Sequence, residues 1–437
     1  MKSKTIFIIA QLDMQRAGNQ ILFRTVEGYL KKGYKVILLT SNPLSDPNKA
    51  DYEILFGELI QNLKVYRFTP LLRFLAIPLT KIKNKIFRRK RLSNAKSFRK
   101  VEENVPFVKW HHGFVGLISQ ISFFFGGLFK TINLIKSCRP VAIYGYEIYG
   151  APLAYAMSKV FRIPLITKFQ GTIAFPELEK YKFWAWFRIP NHLIGLKIPG
   201  NLVIMENDGT RGKEVLLKLA ILENKIRFWI DGVDKNMYIP NFDKAQLLKE
   251  LGLNYETKVI LTVSRLKTWK RVDRAILAMP KIIRKFPKAI LIVVGDGEEK
   301  DNLNKLAKEL AVDKNVIFIG AIPHGKVKEY LNACDIFVSL YNHSNLCNPL
   351  LEALECGKPV VTINDGSTKE ILTNNQNCIL IDKEKISEEL PANLIRLLSD
   401  NNLRETLGRN ARNYADRYLL SWEDRMELEV REVEKII

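Results

Sequence analysis

A chain of 437 residues with 47% apolar and 10% aromatic side chains is too long for one ordinary core and too apolar for extended disorder, so two domains are expected. The net charge of +22 is one-sided: residues 1–240 carry 38 Lys and Arg against 17 Asp and Glu, whereas residues 241–437 carry 30 against 29. An excess confined to one half points to an anionic surface facing that half. The five cysteines, odd in number and without a Cys-x-x-Cys pair, argue against a disulfide framework or structural zinc and for a reduced, cytoplasmic setting.

Along the chain, the basic start and short apolar run at 5–9 read as a first buried strand; the run is too brief for a secretory segment and no small-residue cleavage site follows. No stretch reaches about 18 uninterrupted apolar residues, so a spanning helix is not expected. Further β-branched runs at 35–40, 63–68, 141–144, 164–168, 201–205 and 226–230 predict the remaining strands of a first domain over 1–235, with a helix at 20–32 that stops at Gly33. The rhythm breaks over 69–136. There, ten cations between Lys81 and Lys100 occur without an acidic residue, flanked by apolar runs at 71–77 and 114–129. Basic clusters beside apolar helices suit a membrane interface, at roughly 1 kcal/mol per cation near anionic lipid; the plainer alternative is a solvated basic loop before a core helix. Nucleic acid is not expected as a partner, since basic and aromatic residues do not interleave.

Asp231 to Asp234 and Pro240-Asn241 read as the exit into a second domain over 242–415. Its apolar runs at 258–263, 289–294, 316–319, 336–339, 359–363 and 378–381 alternate with amphipathic stretches such as 271–286 and 303–310. Strands apolar throughout and separated by helices indicate a parallel sheet covered on both faces, a doubly wound α/β domain.

Three segments carry chemistry. Val263-Ser-Arg-Leu-Lys-Thr-Trp-Lys270 follows a buried strand, where open α/β sheets bind ligands; the fork of Arg265 and the point charge of Lys270 suit a diphosphate. Gly295-Asp-Gly297 ends the next strand and lets backbone approach a ligand. Near Asn348-Pro349 a helix N-terminus presents free N–H groups, and Glu352, one turn in, can accept hydrogen bonds from ribose hydroxyls. His343 stands beside this loop.

As a set, Ser264-Arg-Leu with Lys270, Gly295-Asp-Gly297, Val316-Ile-Phe-Ile-Gly320, Cys334-Asp-Ile-Phe-Val338 and Leu351-Glu-Ala-Leu-Glu-Cys-Gly-Lys-Pro-Val360 resemble the retaining glycosyltransferases of family four. Thinner matches are Ala17-Gly18, Gln170-Gly-Thr172 and Asp231-Gly-Val-Asp234. The resemblance implies the GT-B fold, two Rossmann-like domains facing across a cleft, with the last helix, within 416–437 and opening at Ser421-Trp-Glu-Asp-Arg425, crossing back to the first domain. It further implies a nucleotide diphosphate-sugar donor, with Arg265 and Lys270 on the diphosphate and Glu352 on the ribose. Gly320, Ala321 and Ile322 would face the base with their backbone, Gly18 and Gly295 would line the cleft, and Ser344, Asn345, Leu346, Cys347 and Asn348 would form the loop at the sugar. No metal or other cofactor is implied.

Three departures matter. Ser344 stands where the family has the first of its paired glutamates, Asn345-Leu-Cys347 has no glycine, and Gln170 replaces a common histidine. Front-face return tolerates these changes, because the departing phosphate takes the acceptor proton while positioning and electrostatics lower the barrier. The expectation is therefore a metal-independent hexosyl- or N-acetylhexosaminyltransferase acting at the inner face of a membrane on a saccharide or lipid-linked acceptor. Its rivals are a nucleotide-sugar epimerase, which needs a cleft acid and base, and a catalytically degenerate partner subunit.

Overall fold

The computed structural model describes residues 4–11, 20–41, 56–71, 110–365 and 368–437, and of Trp110, His111 and His112 the backbone alone. Gly18, Ala17, the cations from Lys81 to Lys100 and the apolar residues 72–77 lie outside the described residues.

Each predicted strand forms. In the first domain these are β1 (Thr5–Ala10), β2 (Lys35–Thr40), β3 (Leu63–Arg67), β4 (Ala142–Tyr146), β5 (Leu165–Phe169), β6 (Leu202–Glu206) and β7 (Ile226–Trp229). They make one parallel sheet in the order β3-β2-β1-β4-β5-β6-β7. In the second domain, β8 (Val259–Val263), β9 (Ile290–Val294), β10 (Val316–Gly320), β11 (Ile336–Ser339), β12 (Val360–Ile363) and β13 (Ile379–Ile381) make a parallel sheet ordered β10-β9-β8-β11-β12-β13. Every residue of β1, β4, β5, β6, β8 and β9 is buried, as two-sided helix cover requires. The strand order reverses between β1 and β4 and again between β8 and β11. These switch points open a crevice at the carboxyl ends of the strands, where ligands bind in such sheets.

The apolar run at 114–129 falls inside one long helix, Trp110–Cys138. Phe123 and Ile135 enter the first-domain core, whereas Phe114, Ile121, Phe125 and Phe129 are exposed. The sequence alternatives, core helix and apolar surface, therefore describe two faces of one element. By length and composition its span Gly113–Cys138 is long and apolar enough to cross a membrane, although glycines and polar residues punctuate its apolar runs. It packs along the helices Glu147–Phe161, Ala185–Arg188 and Pro190–Leu196 of the first domain.

Two crossings join the domains side by side: Val233, on the way out, donates its N–H to the Leu420 carbonyl on the way back at 3.0 Å. Ser421 then caps the helix Trp422–Glu434 by accepting from the Asp424 N–H. That helix lies against Gln20–Lys31 and sends Val430 and Val433 into the first-domain core. Beneath it is a fully buried charge cluster. Lys168 Nζ lies 2.7 Å from Glu429 Oε2 and 3.3 Å from Glu206 Oε1, and Arg425 Nη2 donates to Glu206 Oε2 at 3.1 Å.

Candidate functional site

At the end of β8, the Ser264 N–H bonds the Val294 carbonyl and Leu266 N–H bonds the Asp296 carbonyl, tying this segment to β9. Gly295 has φ +130°, and a Cβ there would stand 1.9 Å from the Ser264 oxygen, so the crossing admits glycine alone. Its N–H reaches the Gly320 carbonyl at 2.8 Å, so three adjacent strand ends form one platform.

Arg265 is exposed on that platform; its carbonyl accepts from the Lys267 N–H at 2.8 Å, and its guanidinium makes no hydrogen bond or ion pair among the described residues. The turn Thr268–Lys270 folds back and buries Lys270 to 9% exposure. The Lys270 ammonium sits 3.7 Å from the ring centre of Tyr341 and 4.1 Å from that of Trp269, and the two ring faces partly replace its lost hydration. Burial pushes its pKa down to about 8; the neighbouring Arg265 charge acts in the same direction, while Cys347 and Asp208 oppose it. Arg265 and Lys270 thus share one electrostatic neighbourhood. A buried ammonium with no carboxylate at salt-bridge distance among the described residues is a ready partner for an incoming anion.

The loop after β11 is more committed than its sequence implies. Ser344 takes a left-handed backbone, φ +61°, and its side chain lies beside Asp208 of the first domain, where it lowers that carboxyl's pKa. The Asn345 side chain is fully buried and taken up by the Tyr341 backbone and Asp365. Leu346 is buried and donates its N–H to the Asp208 carbonyl at 3.0 Å. Cys347 lies beside Lys270, and Asn348 Nδ2 donates to Gln20 Oε1 at 3.0 Å. The segment is chiefly a strip that meets the first domain, and the side chains of Asn345 and Leu346 face inward.

Glu352 is 5% exposed, and His324 Nε2 lies 2.7 Å from its Oε1. The other ring nitrogen of His324 stands 3.8 Å from Asp234, which in turn accepts from Arg24 at 2.6 Å. The Glu352 hydrogen bond raises the His324 pKa against the pull of burial, with the Glu352 and Asp234 charges adding to it. A ribose reaching Glu352 therefore meets an imidazole already there. Gly320 has φ +84° and open space beside it, Ala321 is exposed and Ile322 is half-buried. Burial pushes the His343 pKa down to about 4, with Lys383 acting in the same direction.

Across the crevice, Gln170 directly follows β5. Its N–H donates to Glu147 Oε1 at 2.6 Å and its Nε2 to Tyr146 Oη at 2.5 Å. A cavity of about 310 Å³ opens there, lined by Ala10, Gln11, Tyr146, Glu147, Ile148, Tyr149 and Gln170 at the β1/β4 switch point. Glu147 holds φ +60°, a conformation costing a non-glycine residue roughly 1–2 kcal/mol. Three residues on, Gly150 lies so close to β1 that a Cβ would stand 2.1 Å from the Ile9 oxygen. Burial raises the Glu147 pKa to about 7 against the Gln170 N–H, with Asp208 and Glu206 raising it further and Lys168 lowering it. Asp208 is raised to about 6 by burial, moderated by Thr210, Ser344 and Lys270.

Glu147, Asp208, His324 and the Trp269–Tyr341 slot are the site residues that sequence reasoning missed. For Glu147 the sequence carries a signal, a carboxylate directly after an apolar strand: β4 runs to Tyr146, two residues beyond the predicted end at Tyr144.

Residues 243–414 match the family model described as Glycosyl transferases group 1. An uncharacterized glycosyltransferase of Methanocaldococcus jannaschii is 31% identical over 224 residues, 50% of this chain and 56% of that protein. A GDP-mannose-dependent monoacylated alpha-(1-6)-phosphatidylinositol monomannoside mannosyltransferase of Corynebacterium glutamicum is 33% identical over 203 residues, 44% of this chain and 51% of that one. The chain spans about half the length of the curated relatives it matches. Among solved structures, HepE of Anabaena in complex with UDP-glucose superposes with a TM-score of 0.71 at 17% identity, covering 99% of this chain and 100% of that one. The chain is thus similar to the group 1 glycosyltransferases across its second domain, and over its whole length it has the two-domain GT-B fold.

Proposed function

We propose that the protein is a retaining glycosyltransferase that moves a hexosyl or N-acetylhexosaminyl group from a nucleotide diphosphate-sugar to a saccharide or lipid-linked acceptor at the inner face of a membrane, without a metal ion. The observation that carries this reading is the buried Lys270 ammonium beside Arg265 at the β8/β11 switch point. In the reaction, the bond between the sugar anomeric carbon and the diphosphate oxygen breaks with its electron pair on the diphosphate. The acceptor oxygen bonds the same face of that carbon, and its proton passes to a diphosphate oxygen. Arg265 and Lys270 stabilise the charge that develops, the part Mg²⁺ takes elsewhere. Glu147 and Gln170, across the crevice, hold sugar hydroxyls in the cavity. The GDP-mannose named for one relative and the UDP-glucose bound to HepE are donors of this chemical class.

Radiolabelled UDP-, GDP- and ADP-sugars offered with membrane lipid extract test the proposal. The expected result is label on the acceptor with the anomeric configuration of the donor, at a rate unchanged by EDTA. Tight nucleotide binding without transfer would assign the chain to a partner subunit, and an altered free donor sugar would assign it to an epimerase.

A pH dependence follows from Glu147. Its raised pKa leaves the carboxyl neutral below about 7 and charged above it, so kcat/KM is expected to rise through pH 7. Glu147→Gln should flatten that limb and lower kcat/KM about 10- to 100-fold, in keeping with the ~1.5–3 kcal/mol of a charged hydrogen bond. A limb that survives the substitution belongs to another group.

A further inference from the structure

We propose that the turn at 182–188, together with the outer face of the helix Trp110–Cys138, docks on an anionic lipid bilayer, with Phe183, Trp184 and Phe187 entering the head-group boundary. This rests on the membrane-acceptor part of the proposed function and gives it a surface.

Phe183, Trp184 and Phe187 are 69%, 67% and 62% exposed, an unusual concentration of aromatic surface on a folded domain. Their rings pack on one another, with centroids 5.5 Å apart for Trp184–Phe187 and 5.8 Å for Phe183–Phe187. The cluster is therefore built, and its backbone explains it. The 3-10 turn Lys182–Trp184 runs into the short helix Ala185–Arg188, and the buried Ala185 and Ile189 pin one side of that helix to the core. Helical spacing then leaves 183, 184 and 187 on the opposite side.

The patch continues onto the neighbouring helix. Gly113 meets Arg188 so closely that a Cβ would stand 2.1 Å from its carbonyl oxygen, and Phe114, the next residue, is 63% exposed. From there Ile121, Phe125 and Phe129 follow at spacings of seven, four and four, a single apolar stripe on a helix face.

Two lysines lie over neighbouring aromatic rings, Lys180 over Tyr181 and Lys197 over Trp186. The carboxylates of the same stretch are neutralised by cations of their own, Glu177 by Arg188 and Glu179 by Lys218. An aromatic centre with lysines beside it, in the half carrying nearly all the basic excess, complements anionic head groups. Protein interface cores, by contrast, are depleted in lysine.

Flotation of the full chain with phosphatidylcholine vesicles, with and without phosphatidylglycerol, tests the proposal. The wild type is expected to float with the anionic vesicles, and the triple variant Phe183→Ser, Trp184→Ser, Phe187→Ser to lose at least about tenfold in partitioning with an unchanged melting temperature. Brominated lipid should quench tryptophan fluorescence in the wild type and much less in Trp184→Phe, which still binds. Equal partitioning of the triple variant, or quenching that ignores Trp184, would overturn the proposal. So would a self-associated wild type that the triple variant renders monomeric, since the patch would then belong to a second copy of the chain. Nucleoside diphosphate binding, read by thermal shift, is expected to persist in the triple variant, so failed docking and failed donor recognition are separate results.

Discussion

Lys270→Ala is expected to lower kcat/KM for the donor by about 10²- to 10³-fold, the loss typical of removing one preorganised charge-stabilising donor. The size follows from where the ammonium sits. Held at 9% exposure between Trp269 and Tyr341, it acts in a medium where its attraction for a diphosphate is little screened, and it needs no reorganisation when charge develops. Arg265, exposed on the same platform, should cost less when replaced, since water competes for its partners. The pH profile gives an independent reading. With its pKa lowered to about 8, Lys270 is charged below that value and neutral above it, so donor capture should fall as pH rises through 8. Lys270→Arg should remove that falling limb without restoring the rate, because the bulkier guanidinium spreads its charge and does not reproduce the position of the compact ammonium beside the two rings. A rate in Lys270→Ala within about threefold of wild type would remove the basis of the proposed function.

Much of this arrangement was legible because it depends on strands and the residues directly after them. Runs apolar throughout, such as 259–263 and 290–294, cannot be placed other than in a two-sided parallel sheet, and such a sheet offers ligands its carboxyl edge. Arg265 and Gly295 follow from that alone. What lay out of reach depends on contacts between distant segments. Asp208 matters because its carbonyl and carboxylate meet the 344–346 loop of the other domain, a separation of more than a hundred residues. His324 reaches Glu352 because two helices of the second domain converge. The inward turn of Asn345 was equally hidden: an asparagine in a loop has no pattern that distinguishes a ligand contact from a hydrogen bond to its own backbone. The aromatic turn at 183–187 was overlooked for the opposite reason. Phe, Trp and Phe at helical spacing look like core, and only the burial of Ala185 and Ile189 shows which side faces inward.

The C-terminal helix is where the largest stability effect is expected: Glu429→Leu should cost about 3–5 kcal/mol, because it leaves two buried cations, Lys168 and Arg425, sharing Glu206 as their one ion-pair partner among the described residues. Five ionisable groups meet there, Lys168, Arg425, Glu206, Glu429 and Asp231. Burial raises the Asp231 pKa well above the ordinary range, and the Glu206 charge raises it further. Glu429 itself is held below the ordinary carboxylate range: burial works to raise its pKa, but Lys168, Arg425 and the Tyr144 hydroxyl outweigh it. A carboxylate with a depressed folded pKa contributes stability above its unfolded value, near 4.5, and loses that contribution as pH falls through the folded value. The wild type should therefore lose this stabilisation on acidification below about pH 4.5, and Glu429→Leu should show a shallower acid transition in the same window. Adding Lys168→Met to Glu429→Leu should recover part of the loss, since an apolar pair replaces an ion pair without stranding a charge. Urea denaturation followed by circular dichroism reads the wild type and both variants. Because the helix Trp422–Glu434 carries Arg425 and Glu429 into the first domain, the single variant should also expose the return crossing at 419–421 to proteolysis before either sheet unfolds. If Glu429→Leu matched the wild type in both measurements, the cluster would not be what fastens the second crossing to the first domain, and the apolar contacts of Val430 and Val433 would have to hold it alone.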